Sequence, residues 1–188
     1  CLIIKTFSMA RSIIKIFPFL AVFLFLSCSD DDGRKLGENG FTFNGAFHVL
    51  NNSFVTDENI VDETPGPISV VLSNVNLNDS TAVSNISKIY FDFNGVKLEA
   101  GTITHIPNYS IQTGGAYVQN ADDENYTYVD GTFLLKSSEA GLTATEKTVT
   151  INSVTENKVD LTFRFTRADG QIFSGKYNGL FTDLSSTE

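Results

Sequence analysis

The stretch KVDLTFRFTRADGQIFSGKYNGLF, residues 158–181, decides the fold. Val159, Leu161, Phe163 and Phe165 alternate with Asp160, Thr162, Arg164 and Thr166. Four successive matches to a period of two are the pattern of a half-buried strand, because neighbouring side chains on an extended backbone point to opposite faces. Asp169-Gly170 then supplies a hairpin-turn signal, and the chain returns with Phe173, Gly175, Tyr177, Gly179 and Phe181 on one face. Just upstream, TVTINSV (148–154) alternates as Val149, Ile151 and Ser153 before turning through residues 155–158. Three consecutive antiparallel strands are expected.

Working outward, the same texture recurs in FTFNGAFHVL (41–50), ISVVLSNVNL (68–77), SKIYFDFNG (87–95), VKLEAGTITHI (96–106), SIQTGGAYVQ (110–119) and YTYVDGTFLLK (126–136). No run of ten or more residues has the i, i+3, i+4, i+7 spacing of an amphipathic helix; a single helical turn fits residues 137–144. The expected fold is all-β, an antiparallel β-sandwich or flattened barrel of about 8–10 strands, and periodicity does not choose between the two.

Composition agrees. Sixteen Phe and six Tyr among 188 residues suit a pleated, half-buried surface, and the length suffices for one domain with its own core. All twenty-two acidic residues lie at or beyond position 30, against ten basic ones after Cys28, so this part carries a net charge of −12. Such a charge repels polyphosphate, and nucleic acid is not an expected partner. The two cysteines are Cys1 and Cys28, so residues 29–188 hold neither a disulfide framework nor a Cys-based zinc site.

The amino-terminal part reads as an address. In MARSIIKIFPFLAVFLFLS (9–27), Arg11 and Lys15 precede an uncharged apolar core of twelve residues. Crossing a bilayer takes roughly 20 apolar residues in a helix, and Pro18 interrupts this run, so a cleaved signal is expected rather than a membrane span. Residues 1–8, CLIIKTFS, fit no signal architecture, and we expect Met9 to be the true start, with the upstream residues an over-extended reading frame.

Leu26-Ser27-Cys28 resembles the lipobox of bacterial lipoproteins, with Phe25 where that family most often has Leu. The resemblance implies a diacylglycerol on the Cys28 sulfur, cleavage before it and acylation of the new amino terminus. Each buried methylene contributes about 0.8 kcal/mol, so two or three chains on one residue hold a protein on a membrane where a single chain would not. Ser29-Asp30-Asp31-Asp32 then resembles the acidic export tag of Bacteroidota surface lipoproteins, implying an outer-membrane protein facing the exterior; a periplasm-facing location is the alternative. Residues 28–40 read as the acylated cysteine and acidic linker, and residues 41–188 as the all-β domain. Leu98-Glu99-Ala100-Gly101-Thr102, Asp130-Gly131-Thr132-Phe133 and the closing hairpin are also similar to small lipoproteins of unknown function from that bacterial group.

Chemistry-bearing residues are sparse, and no catalytic residue is assigned. The histidines, His48 and His105, read as surface or edge residues, and no Gly-rich phosphate loop is present. Asp92 and Glu99 are the strand carboxylates a glycan hydrolase would need, though alternation puts Asp92 on a polar face. Two acidic loops offer oxygens to calcium: Asp57, Glu58, Asp62 and Glu63 in one, and Asp122, Asp123 and Glu124 with nearby Asp130 in the other. Neither matches the D-x-[DN]-x-[DN]-G loop, and both also read as solvated turns. Asp79-Ser80-Thr81 resembles the Bacteroidota O-glycosylation acceptor, which would place a glycan on Ser80. Tyr109, Tyr117, Tyr126 and Tyr128 serve either as stacking platforms or as cross-strand pairs. The expected function is therefore that of a lipid-anchored, non-catalytic binding or structural module that contacts a glycan or protein. A lipocalin-like barrel holding a small apolar ligand is the alternative, and a glycan-processing enzyme ranks behind both. No cofactor is expected beyond the acyl anchor on Cys28, with calcium at the second acidic loop as the alternative to a plain solvated turn.

Overall fold

The computed structural model describes residues 37–58, 64–79, 81–121 and 125–185. The signal segment and its upstream extension, Cys28, the tag Ser29, Asp30, Asp31 and Asp32, and Ser80, Asp122, Asp123 and Glu124 lie outside the described residues.

The protein is all-β. Thirteen strand segments are described, and they form two curled sheets packed as a sandwich. In chain order they are β1 (Gly40–Phe43), β2 (Ala46–Val49), β3 (Asn52–Asp57), β4 (Gly66–Ser73), β5 (Val83–Gly95), β6 (Gly101–Ile103), β7 (Tyr109–Gln119), β8 (Tyr126–Val129), β9 (Thr132–Lys136), β10 (Ala144–Val154), β11 (Lys158–Arg167), β12 (Ile172–Leu180) and β13 (Thr182–Asp183). The first sheet runs β2-β1-β12-β11-β10-β6 and the second β13-β3-β4-β5-β7, with β8 and β9 both pairing the far side of β7. All pairings described are antiparallel except β13 with β3.

The strand count exceeds the expected 8–10 because several expected segments are broken. FTFNGAFHVL is a tight hairpin, with Asn44 at φ 48° and Gly45 at φ 75°, a pair of left-handed residues that matches strand twist. The segment 96–106 contributes only β6. β3 and β13 were not anticipated from the pattern at all. Where a helical turn was expected over 137–144, residues 137–142 form turns closed by Leu142 N–H donating to Glu139 O at 3.1 Å, and Ala144 already begins β10.

The decisive hairpin forms as its alternation requires. Val159, Leu161, Phe163 and Phe165 are buried while Thr162 and Arg164 are exposed. Across the sandwich they meet Val55, Ile68, Val70, Leu72, Ile89 and Phe91 in one continuous core with Phe173 and Tyr177. Each fully buried large side chain contributes about 1.5–3 kcal/mol. In β10 the expected inward Ser153 is exposed: a bulge between Ile151 and Ser153 shifts the register, and Val154 packs on the core instead. At the end of β12 the chain crosses to the second sheet, and the Tyr177 hydroxyl donates to Leu180 O at 2.6 Å at that crossing.

The hairpin turn is held by Arg167. Its guanidinium donates to both Asp169 carboxylate oxygens (3.0 and 2.6 Å), to Gln171 Oε1 (2.6 Å) and to the carbonyl of Leu134 on β9 of the other sheet (2.6 Å). Gly170, at φ 86°, donates to Arg167 O at 2.9 Å and closes the turn. The guanidinium holds the Asp169 carboxyl down at about 2, and the Gln171 N–H adds to the effect. Because this folded-state value is depressed, the pairing contributes to stability above the ordinary aspartate range and is lost as pH falls through about 2. An NMR carboxyl titration is therefore expected to find Asp169 protonating near pH 2, and Arg167→Gln to move it back toward an ordinary aspartate.

Candidate functional site

The outer face of the second sheet carries a shelf built from two rows of side chains. The register aligns Val71, Tyr90, Ser110 and Lys136 across β4, β5, β7 and β9. The next row aligns Ser73, Lys88, Gln112 and Phe133 across the same strands. Together with residues 137–138, Asp130, Leu77, Asn108 and Tyr109, all of these side chains except the buried Ser73 border an open cleft of about 460 Å³, within the range of small-ligand sites.

Two irregularities create the shelf. A bulge at Leu134 skips one residue between Ile111–Leu135 and Gln112–Phe133, so Phe133 and Lys136 reach the same face despite opposite parity. The Leu134 carbonyl, left out of the ladder, is the one that Arg167 takes up. The second is the break between β8 and β9 at Asp130-Gly131. There the side-chain oxygen of Gln112, a residue only 1% exposed, accepts the Gly131 N–H at 3.1 Å. A Cβ on Gly131 would lie 2.1 Å from Thr113 O, so only glycine lets the two backbones approach so closely.

The electrostatics follow from this packing. Lys88 Nζ sits 4.1 Å from the Tyr128 ring centroid and Lys136 Nζ 4.0 Å from that of Phe133. Burial pushes the Lys88 ammonium below the usual lysine range, and the Asp130 carboxylate partly opposes this. The Tyr90 hydroxyl is pushed up to about 12, first by burial and then by Asp92, to which it donates at 3.1 Å. The Tyr128 hydroxyl is likewise pushed up to about 12, by burial and then by Asp130 and Tyr117. Both phenols thus stay protonated at neutral pH, so neither is poised to abstract a proton.

The residues singled out by sequence fall in different places. Asp92 accepts from Tyr90, from the Asn108 backbone N–H (2.9 Å) and from Asn108 Nδ2 (2.8 Å), so it ties the 106–109 corner to β5. Glu99 is exposed and pairs with Lys97 at 3.8 Å, beside a different cleft. His48 is half-buried and stacked on Phe41 at 4.7 Å, with burial holding its ring below the usual histidine range, whereas His105 is exposed. Asp130 is exposed at the strand break; its expected calcium co-ligands Asp122, Asp123 and Glu124 are outside the described residues. Among the described residues no group of three or more His, Cys, Asp and Glu gathers as a metal site. Tyr109 is core rather than platform, and Tyr117 and Tyr128 are a directly opposed cross-strand pair with centroids 5.3 Å apart. Lys88, Lys136, Gln112 and Phe133 went unnoticed as a group, since only the bulged register brings them together.

No family model, no curated protein and no solved structure matches this chain.

The Tyr128 hydroxyl oxygen is buried with no hydrogen-bond partner among the described residues, whereas that of Tyr177 serves Leu180 O. Urea unfolding is expected to find Tyr128→Phe as stable as the parent or more so. Tyr177→Phe is expected to lose about 1–2 kcal/mol, because it strands a carbonyl.

Proposed function

We propose that this is a lipid-anchored outer-membrane lipoprotein, facing the cell exterior, whose sandwich is a non-catalytic module binding a glycan or protein partner through the shelf on its second sheet. The anchor rests on Leu26-Ser27-Cys28 at the end of an apolar run, and the outward destination on Ser29-Asp30-Asp31-Asp32. The single observation that carries the binding role is the pair of aligned rows. They gather two lysines, two aromatic rings and a buried amide around one open cleft of about 460 Å³.

The competing readings find less support. A lipocalin-like barrel keeps space between its walls, whereas here Phe41, Phe91, Phe165, Phe173 and Tyr177 fill it, each at most 2% exposed. A glycan hydrolase needs two carboxylates facing one bond, and Asp92 and Glu99 are engaged elsewhere.

Cells fed an alkyne-bearing palmitate test the proposal. The parent protein is expected to take up label, to sediment with membranes and to lose its domain when intact cells are treated with protease. Cys28→Ser is expected to stay unlabelled and to leave the membrane fraction. A parent protein that never takes up label, with a variant that still sediments, contradicts the anchor; a domain shielded from protease until the outer membrane is opened contradicts the outward orientation.

A further inference from the structure

We infer that the shelf takes an acidic saccharide, one bearing carboxylate or sulfate groups. This deepens the binding-module reading and rests on it. Because Gly131 N–H can only donate, the Gln112 side chain must turn its oxygen to it, and Gln112, 1% exposed, serves as part of the cleft floor. The hydroxyls of Ser110 and Ser138 border the same cleft, and the two lysine ammoniums offer three donors each. Against these stands one carboxylate, Asp130. A site so rich in donors wants a ligand rich in acceptors.

The charge pattern narrows the class. In a chain whose part beyond Cys28 is net −12, two of its few lysines converge here. Lys88 forms no ion pair within 4 Å among the described residues, and Lys136 has only a loose one, to exposed Glu139 at 3.9 Å. Their ammoniums instead lie over aromatic faces, a contact weak enough to yield to an anionic oxygen. With Lys88 on β5 and Lys136 one row away on β9, two strands over, their Cα atoms are roughly 12 Å apart from strand spacing and rise. Two anionic groups along one chain molecule can therefore be held at once.

The location on the sheet selects a saccharide over an extended peptide. Peptides that add to β-proteins do so through main-chain hydrogen bonds at a free edge. The shelf lies on the face, where β5 and β7 have neighbours on both sides and their backbone groups are spent in the ladder. At β9, the edge strand that carries Phe133 and Lys136, the Leu134 carbonyl is already taken by Arg167, so recognition runs chiefly through side chains: hydroxyls for ring hydroxyls, ammoniums for the acid groups, and the Tyr90 and Phe133 rings for the apolar faces of sugar rings.

Calorimetric titration of the full chain in non-ionic detergent tests this with three probes: tetragalacturonate, a heparin-type sulfated tetrasaccharide and neutral cellotetraose. One or both acidic probes are expected to bind, more weakly as salt is raised, and which of them binds separates carboxylate from sulfate. Lys88→Gln and Lys136→Gln are each expected to weaken binding about tenfold, with melting curves run alongside to confirm folding. Asp130→Asn is expected to tighten it about two- to fivefold, since it removes the opposing charge. If Asp130→Asn weakens binding, or cellotetraose binds as tightly as the acidic probes and ignores the lysine variants, the acidic assignment falls while the binding-module reading stands. Silence of all three probes, in a protein that takes up the palmitate label and is cleaved on intact cells, also overturns the inference without touching the anchor.

Discussion

Everything in this molecule follows from the inward aromatic stripe of β11 and β12 and the surface it must bury. Val159, Leu161, Phe163 and Phe165 project from one strand, Phe173 and Tyr177 from the next, and all six are buried. A sheet with such a face cannot stand alone in water. The second sheet supplies the other wall, and the polar alternates of β11 are left outside. The two cysteines both precede residue 29, so no disulfide reinforces the domain and the core must hold it. Slipping β11 by one residue would turn the whole stripe to solvent, so register and fold are one constraint.

The candidate site lies where that regularity fails. The Leu134 bulge and the break at Asp130-Gly131 interrupt the edge paired with β7, and each interruption is satisfied chemically: Arg167 takes the stranded Leu134 carbonyl and Gln112 the Gly131 N–H. Arg167 also locks the turn of the β11–β12 hairpin, so one guanidinium joins that hairpin of the first sheet to the irregular edge of the second. The shelf is thus carried by paired strands, whose register places Lys88, Lys136 and Phe133 on one face.

The all-β class, the closing three-strand unit and the core stripe were legible in the sequence because a period of two is visible in every strand with one buried face. The sandwich itself was not, since inward alternation is the same in a barrel. The bulges hid the rest. Ser153 was expected inside and lies outside; Phe133 and Lys136 have opposite parity and share a face. Asn44-Gly45 carried a turn signal within an otherwise strand-like segment, and β3, with buried Ser53 and half-buried Asn52 among its apolar residues, shows no clean alternation. Of the candidate site, Asp130 was named in advance for calcium, and Tyr109 and Tyr128 as stacking platforms or cross-strand pairs.

The claim that the alternating stripe of β11 sets the fold is tested most directly by comparing two substitutions on that one strand under chemical denaturation. Phe165→Ala, at a fully buried position, is expected to cost about 3–5 kcal/mol, while Thr162→Ala on the exposed face is expected to stay within about 0.5 kcal/mol of the parent. Equal losses at the two positions, or a larger one at Thr162, would contradict the account.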